Sequence, residues 1–112
     1  MVFVIFIAYK SLGCWKDNIP RALELLEGEK SLVGHYKTRK SPVKACSEAA
    51  HRKGFKFFAV QDGGQCFGSR FNTTYVKYGK STKCTAKTGG PMANDVYKLG
   101  MFYFYAWNNV TQ

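Results

Sequence analysis

Six side chains in this sequence have the chemistry needed to hold a sugar. A saccharide site uses an aromatic face against the C–H surface of the ring and planar polar groups against its hydroxyls. Trp15 and Tyr36 are candidates for the aromatic role. The candidates for the hydroxyls are Gln61, Asp62, Gln65 and Asn94. Two of the six have an alternative structural role, since Trp15 could pack on a disulfide at Cys14 and Asp62 could bond its own backbone in a turn.

No arrangement of residue types points to catalysis. The sequence has no Gly-x-Ser-x-Gly motif, no cysteine with an obvious histidine partner and no matched pair of acids. His35 and His51 stand alone, and the absence of a Cys-x-x-Cys pair argues against zinc. We therefore expect a protein that is not an enzyme and that uses neither a metal nor a cofactor.

The charge is strongly positive, with 17 Lys and Arg against 7 Asp and Glu, a net +10. Such a charge on a small domain creates a positive field that attracts acidic polysaccharide, anionic membranes or nucleic acid. The alternative is that the charge keeps a chain with 16% aromatic residues in solution. The candidate basic patch consists of Lys37, Arg39, Lys40, Lys44, Arg52, Lys53 and Lys56, and a further cluster consists of Lys77, Lys80, Lys83 and Lys87.

Several features indicate a secreted protein, for which nucleic acid is not an expected partner. The four cysteines are even in number and widely spaced, as in small disulfide-bonded extracellular domains. Asn72 and Asn109 each begin an Asn-x-Thr glycosylation sequon. The apolar residues 1–8 lack a positive n-region and are too short for a membrane span, so we expect a β-strand there.

The length of 112 residues fits one domain. The clearest helix is 41–53, with Ser41 as a candidate cap, Pro42 in the first turn and Gly54 after the end. Segment 21–27 is compatible with either a short helix or an extended strand. We expect strands at 2–9, 55–60, 65–67, 95–99 and 101–107, a turn at 62–64, and loops at 14–17 and 69–88. The sum is an α+β domain in which one helix packs on an antiparallel sheet.

Four motifs in this order resemble the WSC domain. The opening is Gly-Cys-Trp-Lys-Asp at 13–17, followed by Arg-Ala-Leu at 21–23. A Gly-Phe strand then runs into a Gly-Gly-Gln-Cys-Phe-Gly turn within 54–68, and Gly-Gly-Pro-Met-Ala-Asn-Asp-Val-Tyr closes the match at 89–97. The resemblance spans 13–99. WSC domains usually carry eight cysteines rather than four, and Phe67 stands where a second turn cysteine would be.

The resemblance implies a PAN/apple-like twisted sheet around one helix and a role in carbohydrate binding. The four-cysteine form resembles secreted proteins of marine invertebrates. Four cysteines allow three pairings. We expect Cys46–Cys66, which would tie the helix to the sheet, and Cys14–Cys84, which would close the long loop.

The two chain ends suggest a competing, structural function. Segments 2–9 and 101–107 are apolar and lie outside the resemblance. Most simply they pair with each other at one edge of the sheet. An exposed apolar edge would instead invite the strand of a second subunit, which would make the protein a self-assembling component of an extracellular matrix.

Overall fold

The computed structural model describes the backbone of residues 2–106 and the side chains of residues 7–100. It confirms the α+β class, with one helix packed on a five-stranded antiparallel sheet. The strands run in the spatial order β1-β5-β3-β4-β2. Their bounds are β1 Val2–Lys16, β2 Glu24–Leu25, β3 Phe57–Gln61, β4 Gln65–Ser69 and β5 Ala93–Ala106, and the helix α1 is Pro42–Arg52.

Helix α1 forms where the apolar spacing predicts it, one residue shorter at each end. Pro42 occupies its first turn, where no backbone N–H is lost. Gly54 follows the helix with a φ of 75°, the left-handed conformation that glycine adopts at least cost. The prediction that Ser41 caps the helix is wrong. Its backbone is left-handed (φ 47°, ψ 59°) rather than extended, and its side chain makes no capping hydrogen bond.

Apolar side chains cover both faces of the sheet. On the helix side, Phe58, Val60 and Tyr97 pack against α1. On the other side, Phe67 and Val96 pack with side chains from the loops. Alternate residues of a strand point to opposite faces, so the continuous apolar run of β3 serves both layers.

Both predicted disulfides are confirmed. Cys46–Cys66 joins α1 to β4, and both cysteines are fully buried. Cys14–Cys84 joins β1 to the long loop between β4 and β5. Each bridge therefore connects elements that are not neighbours along the chain.

Long-range strand pairing corrects two local predictions and decides a third point that the sequence left open. The expected loop 14–17 is strand as far as Lys16, because β1 pairs with β5 over its whole length, with one irregularity between Ser11 and Gly13. Gly100 does not divide β5 into two strands. Segment 21–27 is not helical; its residues Glu24–Leu25 form β2 beside β4.

The two ends of the described chain pair with each other, as expected, from Val2 with Ala106 inward. Strand β3 flanks β5 only along residues 94–98. Beyond that point, β1 and β5 continue as a two-stranded ribbon, here called the terminal ribbon (residues 2–9 and 99–106). The molecule is accordingly elongated, with extents of 56 × 29 × 22 Å. Residue 107, the last of the predicted strand, lies outside the described residues.

Candidate functional site

Two of the predicted sugar-binding amides lie inside the protein. Gln61 is 2% exposed and Asn94 is 0% exposed. Gln61 Nε2 donates to Asp17 Oδ2 at 2.9 Å and to Asn94 Oδ1 at 2.8 Å, while Arg21 donates to Gln61 Oε1 at 3.1 Å. These amides are consumed by an internal network, so a ligand on the surface does not reach them.

The charged members of this network fix the orientation of its amides. Asp17 can only accept hydrogen bonds and Arg21 can only donate them, so Gln61 must direct its nitrogen to Asp17 and its oxygen to Arg21. Asn94 must then present its oxygen to Gln61, and its Nδ2 has no protein acceptor among the described residues. Asp17 and Arg21, four residues apart, also form an ion pair at 2.8 Å.

Asp17 is ionised in spite of its buried position. Burial alone would raise the pKa of this carboxyl. Hydrogen bonds from the backbone of Ala22, from Gln61, from Arg21 and from the backbone of Asn18 outweigh burial, and the pKa lies below its ordinary value. The network therefore holds an ionised carboxylate that is paired with the Arg21 guanidinium.

Trp15 is partly buried and is held by its own neighbours. Its indole N–H donates to the carbonyl oxygen of Leu12 at 2.8 Å. Its ring meets Tyr75 edge-on at 5.1 Å, and Lys80 Nζ lies 5.8 Å from the ring centre. Trp15 thus packs with an aromatic and a lysine side chain and does not share a cleft with the other predicted residues.

Asp62, by contrast, lies in a surface cleft of about 300 Å³. Its Oδ2 accepts a hydrogen bond from Tyr36 Oη at 3.3 Å and lies 3.7 Å from Lys37 Nζ. The Asp62 and Lys37 side chains are 34% and 58% exposed, so both can meet a ligand. The cleft, called here the Asp62 cleft, is lined by Lys37, Asp62, Gly63, Thr85, Thr88, Gly89, Gly90 and Pro91.

Three turns meet at this cleft and hold one another in place. The turn between β3 and β4 donates from Asp62 N to Gly90 O at 3.1 Å and from Gly63 N to Thr88 O at 2.9 Å. A Cβ added at Gly64 would come within 2.7 Å of the carbonyl oxygen of Tyr36. Only glycine fits this approach, which makes the frame around Asp62 compact and prearranged.

The remaining predicted sugar-binding residues lie near this frame with different exposure. Tyr36 is partly buried, and its ring stacks on His35 at a centroid distance of 4.7 Å. Gln65 is partly buried opposite Gln61, next to the β3–β4 turn, and does not line the Asp62 cleft. The structure therefore brings Tyr36 and Asp62 into contact and leaves Gln65 beside them.

One member of the predicted basic patch is an internal residue. The Arg39 guanidinium contacts both carboxylate oxygens of Glu27, at 2.8 and 2.7 Å, and also donates to the carbonyl oxygen of Gly64 at 3.0 Å. Its side chain is 2% exposed. The pairing anchors the Tyr36–Thr38 turn beside the hairpin, so Arg39 supports the Asp62 cleft and adds no charge to the surface.

The Glu27 carboxylate offsets the cost of burying the Arg39 guanidinium, because it pairs with that charge. Burial alone would raise the pKa of Glu27, but hydrogen bonds from Arg39 and from the backbone N–H of Cys66 keep the pKa below its ordinary value. Elsewhere in the patch, Lys53 Nζ lies 3.8 Å from Glu29. Four members remain exposed and outside these ion pairs within the described residues: Lys40, Lys44, Arg52 and Lys56.

Sequence reasoning missed two hydroxyl residues of the cleft. Thr85 and Thr88 lie in a loop that the sequence shows only as polar. The one local signal is the Gly-Gly pair at 89–90, which permits the close approach of this loop to β3. The threonines reach the site because Gly63 N bonds to the backbone of Thr88, a contact that spacing does not reveal.

Other predictions concern modification, metals and membranes. Asn72 is exposed in a turn, and Asn109 lies outside the described residues. Within the part of the chain that the structure describes, no three acidic, histidine or cysteine side chains converge to hold a metal ion. No helix among residues 2–106 has the length and apolar character needed to cross a lipid bilayer.

Comparison with known proteins gives no relative: no family model matches the chain, and no curated protein matches it significantly. The resemblance to WSC domains therefore depends on the motifs in the sequence.

Proposed function

We propose that the protein is a secreted, non-catalytic carbohydrate-binding module whose saccharide ligand binds in the Asp62 cleft. The observation that carries this proposal is that a half-exposed carboxylate, an exposed lysine and two threonines line one cleft, which three hydrogen-bonded turns frame. Prearranged polar groups of this kind select a ligand by the direction of its hydroxyls and lose little entropy on binding.

Each group has a distinct task in this proposal. Asp62 accepts hydrogen bonds from two neighbouring sugar hydroxyls, as a carboxylate with two oxygens can. Lys37 donates to a ring or hydroxyl oxygen, and the Thr85 hydroxyl can donate and accept. The Thr88 hydroxyl donates to the carbonyl oxygen of Thr85 at 3.3 Å, so toward a sugar it serves as an acceptor. Asp62 is the one carboxylate among the residues that line the cleft. Hydrolysis of a glycosidic bond ordinarily needs two, which favours binding without catalysis.

Three further features support secretion and an acidic ligand. The two disulfides fit an extracellular protein. The net charge of +10 attracts acidic polysaccharide. The WSC-like motifs imply a carbohydrate ligand, and the fold expected from them, a sheet around one helix, agrees with the observed architecture.

A glycan array probed with the oxidised protein at low and at physiological salt tests the proposal. Asp62→Asn removes the charge at a residue whose φ is 52°, a conformation that asparagine tolerates well. We expect the variant to lose at least about tenfold in affinity for the glycans that the wild type retains at physiological salt, because a charge-assisted hydrogen bond is lost. Glu24→Gln removes an exposed carboxylate elsewhere and should bind like the wild type.

Two outcomes would count against the proposal. Binding that disappears at physiological salt and is equal in wild type and Asp62→Asn would indicate attraction by charge alone. The absence of binding at either salt concentration would exclude a saccharide ligand among those displayed, and the second function below would then be preferred.

The second candidate is a structural subunit that assembles through the terminal ribbon. In the order of the described strands, β1 is at the edge of the sheet, and β5 has no partner on its other side from residue 100 to residue 106. Both long edges of an apolar ribbon are therefore open to a further strand. Sizing chromatography separates the two candidates, since a binding module elutes as a monomer or small oligomer and an assembly unit as a polymer.

A further inference from the structure

A second cleft, of about 260 Å³, lies beside the first and belongs to none of the sites described above. It is here called the Tyr9 cleft and is lined by Tyr9, Ser41, Pro42, Val43, Lys44, Lys87 and Tyr97. Lys87 and Thr88 are consecutive residues of one loop, and the first lines this cleft while the second lines the Asp62 cleft. The two clefts are thus neighbours on either side of that loop.

One wall of the Tyr9 cleft is an ordered aromatic surface. The Tyr9 ring meets Phe58 edge-on at 5.7 Å and Tyr97 edge-on at 5.6 Å. Tyr97 in turn stacks on Phe58 at 5.1 Å, in the core beneath. Tyr9 is nevertheless 43% exposed. An exposed ring held by buried rings offers a fixed apolar platform to the C–H face of a sugar.

The other wall carries positive charge without a matching carboxylate. Lys44 and Lys87 are exposed, and neither forms an ion pair within residues 7–100. No acidic residue is among those that line the cleft. Two lysines that line one concave surface attract an anion more strongly than scattered surface lysines do.

Asp95 lies behind the cleft and orders both of its walls. Its Oδ2 accepts a hydrogen bond from the Tyr97 hydroxyl at 2.6 Å and from the backbone N–H of Lys87 at 3.1 Å. Burial and the Asp95 carboxylate raise the pKa of Tyr97, so its hydroxyl remains a donor. The Asp95 carboxylate thereby accepts hydrogen bonds from internal donors, and its side chain does not line the cleft.

The backbone of Lys87 is held in an unfavourable conformation at this point. Its φ is 67°, which is uncommon for a residue other than glycine, asparagine or aspartate. Such conformations persist where surrounding contacts impose them, and they concentrate at functional sites. Here Lys87 lies in a turn that backbone hydrogen bonds close between Thr85 and Gly89, and its N–H donates to Asp95.

From this geometry we infer that the Tyr9 cleft binds the acidic group, carboxylate or sulfate, of an extended saccharide whose neighbouring neutral unit occupies the Asp62 cleft. The inference rests on the proposed function and names the class of ligand, an acidic polysaccharide. Lys44 and Lys87 pair with the anion, and Tyr9 packs against the sugar ring that carries it. The shared loop 85–88 links the two subsites.

Calorimetric titration with three oligosaccharides of equal length tests the inference. The probes are a heparin hexasaccharide, the same hexasaccharide after chemical desulfation, and a hyaluronan hexasaccharide, which carries carboxylates alone. The double variant Lys44→Gln/Lys87→Gln removes both ammonium groups. Its control, Lys16→Gln/Lys30→Gln, removes the same charge from two exposed lysines that line neither cleft and lie outside the basic patch.

We expect the cleft variant to bind at least about tenfold more weakly than the wild type to whichever acidic probe binds best, because two charge-assisted contacts are lost. The control should change the affinity by less than about threefold, as expected for screened surface charges. Preference for heparin over its desulfated form identifies sulfate as the group that is bound. Equal binding of hyaluronan and heparin identifies carboxylate.

An equal loss in both double variants would overturn the inference, since the effect would then follow net charge. Unchanged binding in the cleft variant would overturn it as well. In either case, glycan binding that still depends on Asp62 would leave the proposed function standing. If the wild type bound no saccharide at all, both the inference on the Tyr9 cleft and the proposed function would be rejected.

Discussion

Asp17 accepts four hydrogen bonds in a position where its side chain has no contact with solvent. Two come from the backbone of Asn18 and Ala22 and two from the side chains of Gln61 and Arg21. The carboxylate thus joins the end of β1, the following loop and β3. Removing one acceptor of this kind leaves several buried donors without a partner, which costs more than the bond itself contributes.

The pH dependence of stability should reveal this carboxylate. Because the folded pKa of Asp17 is lowered, its contribution is fully present above the ordinary carboxyl range and is lost as the pH falls through the folded pKa. We expect Asp17→Asn to cost about 2 kcal/mol of unfolding free energy at pH 7. The difference from wild type should shrink on acidification below about pH 4. Urea denaturation at pH 7 and at pH 3 measures both values.

Glu24→Gln is the matched control because it removes an exposed carboxylate close to the same network in the chain. The change in its unfolding free energy between pH 7 and pH 3 should be the same as in the wild type. If Asp17→Asn lost the same unfolding free energy relative to wild type at pH 7 and at pH 3, titration of Asp17 would not account for the pH dependence of stability.

At the same scale, residue type alone could not separate ligand-binding groups from internal ones. Gln61 and Asn94 have the chemistry of sugar-binding amides, yet they point into the protein at paired positions of β3 and β5. Asp62, one residue after Gln61, lies in the turn and reaches solvent. A shift of one residue along a strand reverses the face, and the sequence does not fix that register.

Elements defined by short-range contacts were the ones the sequence predicted well. Helix α1 has its apolar face and its terminal proline and glycine within thirteen residues. The β3–β4 hairpin is marked by Asp62-Gly63-Gly64, and the observed turn lies there. In both cases the residues that determine the structure are neighbours in the chain, so the pattern contains the information.

Elements defined by long-range pairing were not predicted in full. The Cys14-Trp15-Lys16 segment resembles a loop on its own, and it is a strand because β5 supplies partners from Ala93 to Asp95. Gly100 resembles a break, yet the backbone of β1 continues opposite it at Ala8. Tertiary contact overrides local preference here, as β propensity depends largely on the neighbouring strand.

The two disulfides connect elements that differ in burial, and their reactivity should differ accordingly. Cys46 and Cys66 are fully buried between α1 and β4, whereas Cys14 and Cys84 are partly exposed. Exchange requires a thiolate to reach a sulfur atom. We therefore expect mild reduction of the folded protein to open Cys14–Cys84 first. Alkylation of the freed thiols and peptide mass spectrometry identify the bridge.

As a control, reduction in denaturant should open the two disulfides at similar rates, because both are then accessible. Prior opening of Cys46–Cys66 in the folded protein would contradict the burial described for α1 and β4. By the loop-length model, the bridges constrain the unfolded chain by about 4 kcal/mol for Cys14–Cys84 and about 3 kcal/mol for Cys46–Cys66, so partial reduction should also lower the unfolding temperature.

For the molecule as a whole, the high positive charge opposes the assembly proposed for the terminal ribbon. A net charge of +10 keeps separate copies apart at low salt. In the assembly proposed above, the terminal ribbon, whose edges have no partner strand beyond β3 within residues 2–106, would bring copies together once that repulsion is screened. An acidic polysaccharide bound in the two clefts would neutralise the same charge, so ligand binding and assembly would be coupled through electrostatics.

This coupling predicts that self-association rises with salt and with added heparin hexasaccharide, opposite to an association driven by ion pairs. Ile5→Lys places a charge in the ribbon segment of β1, which should hold the protein monomeric under conditions where the wild type associates. Ser11→Lys adds the same charge to β1 where the residue is already exposed, and it should associate like the wild type. Sedimentation velocity across protein and salt concentrations measures the three proteins side by side. A wild type that remains monomeric throughout would show that the ribbon edges are not assembly surfaces, and equal suppression by both lysine variants would assign the effect to net charge.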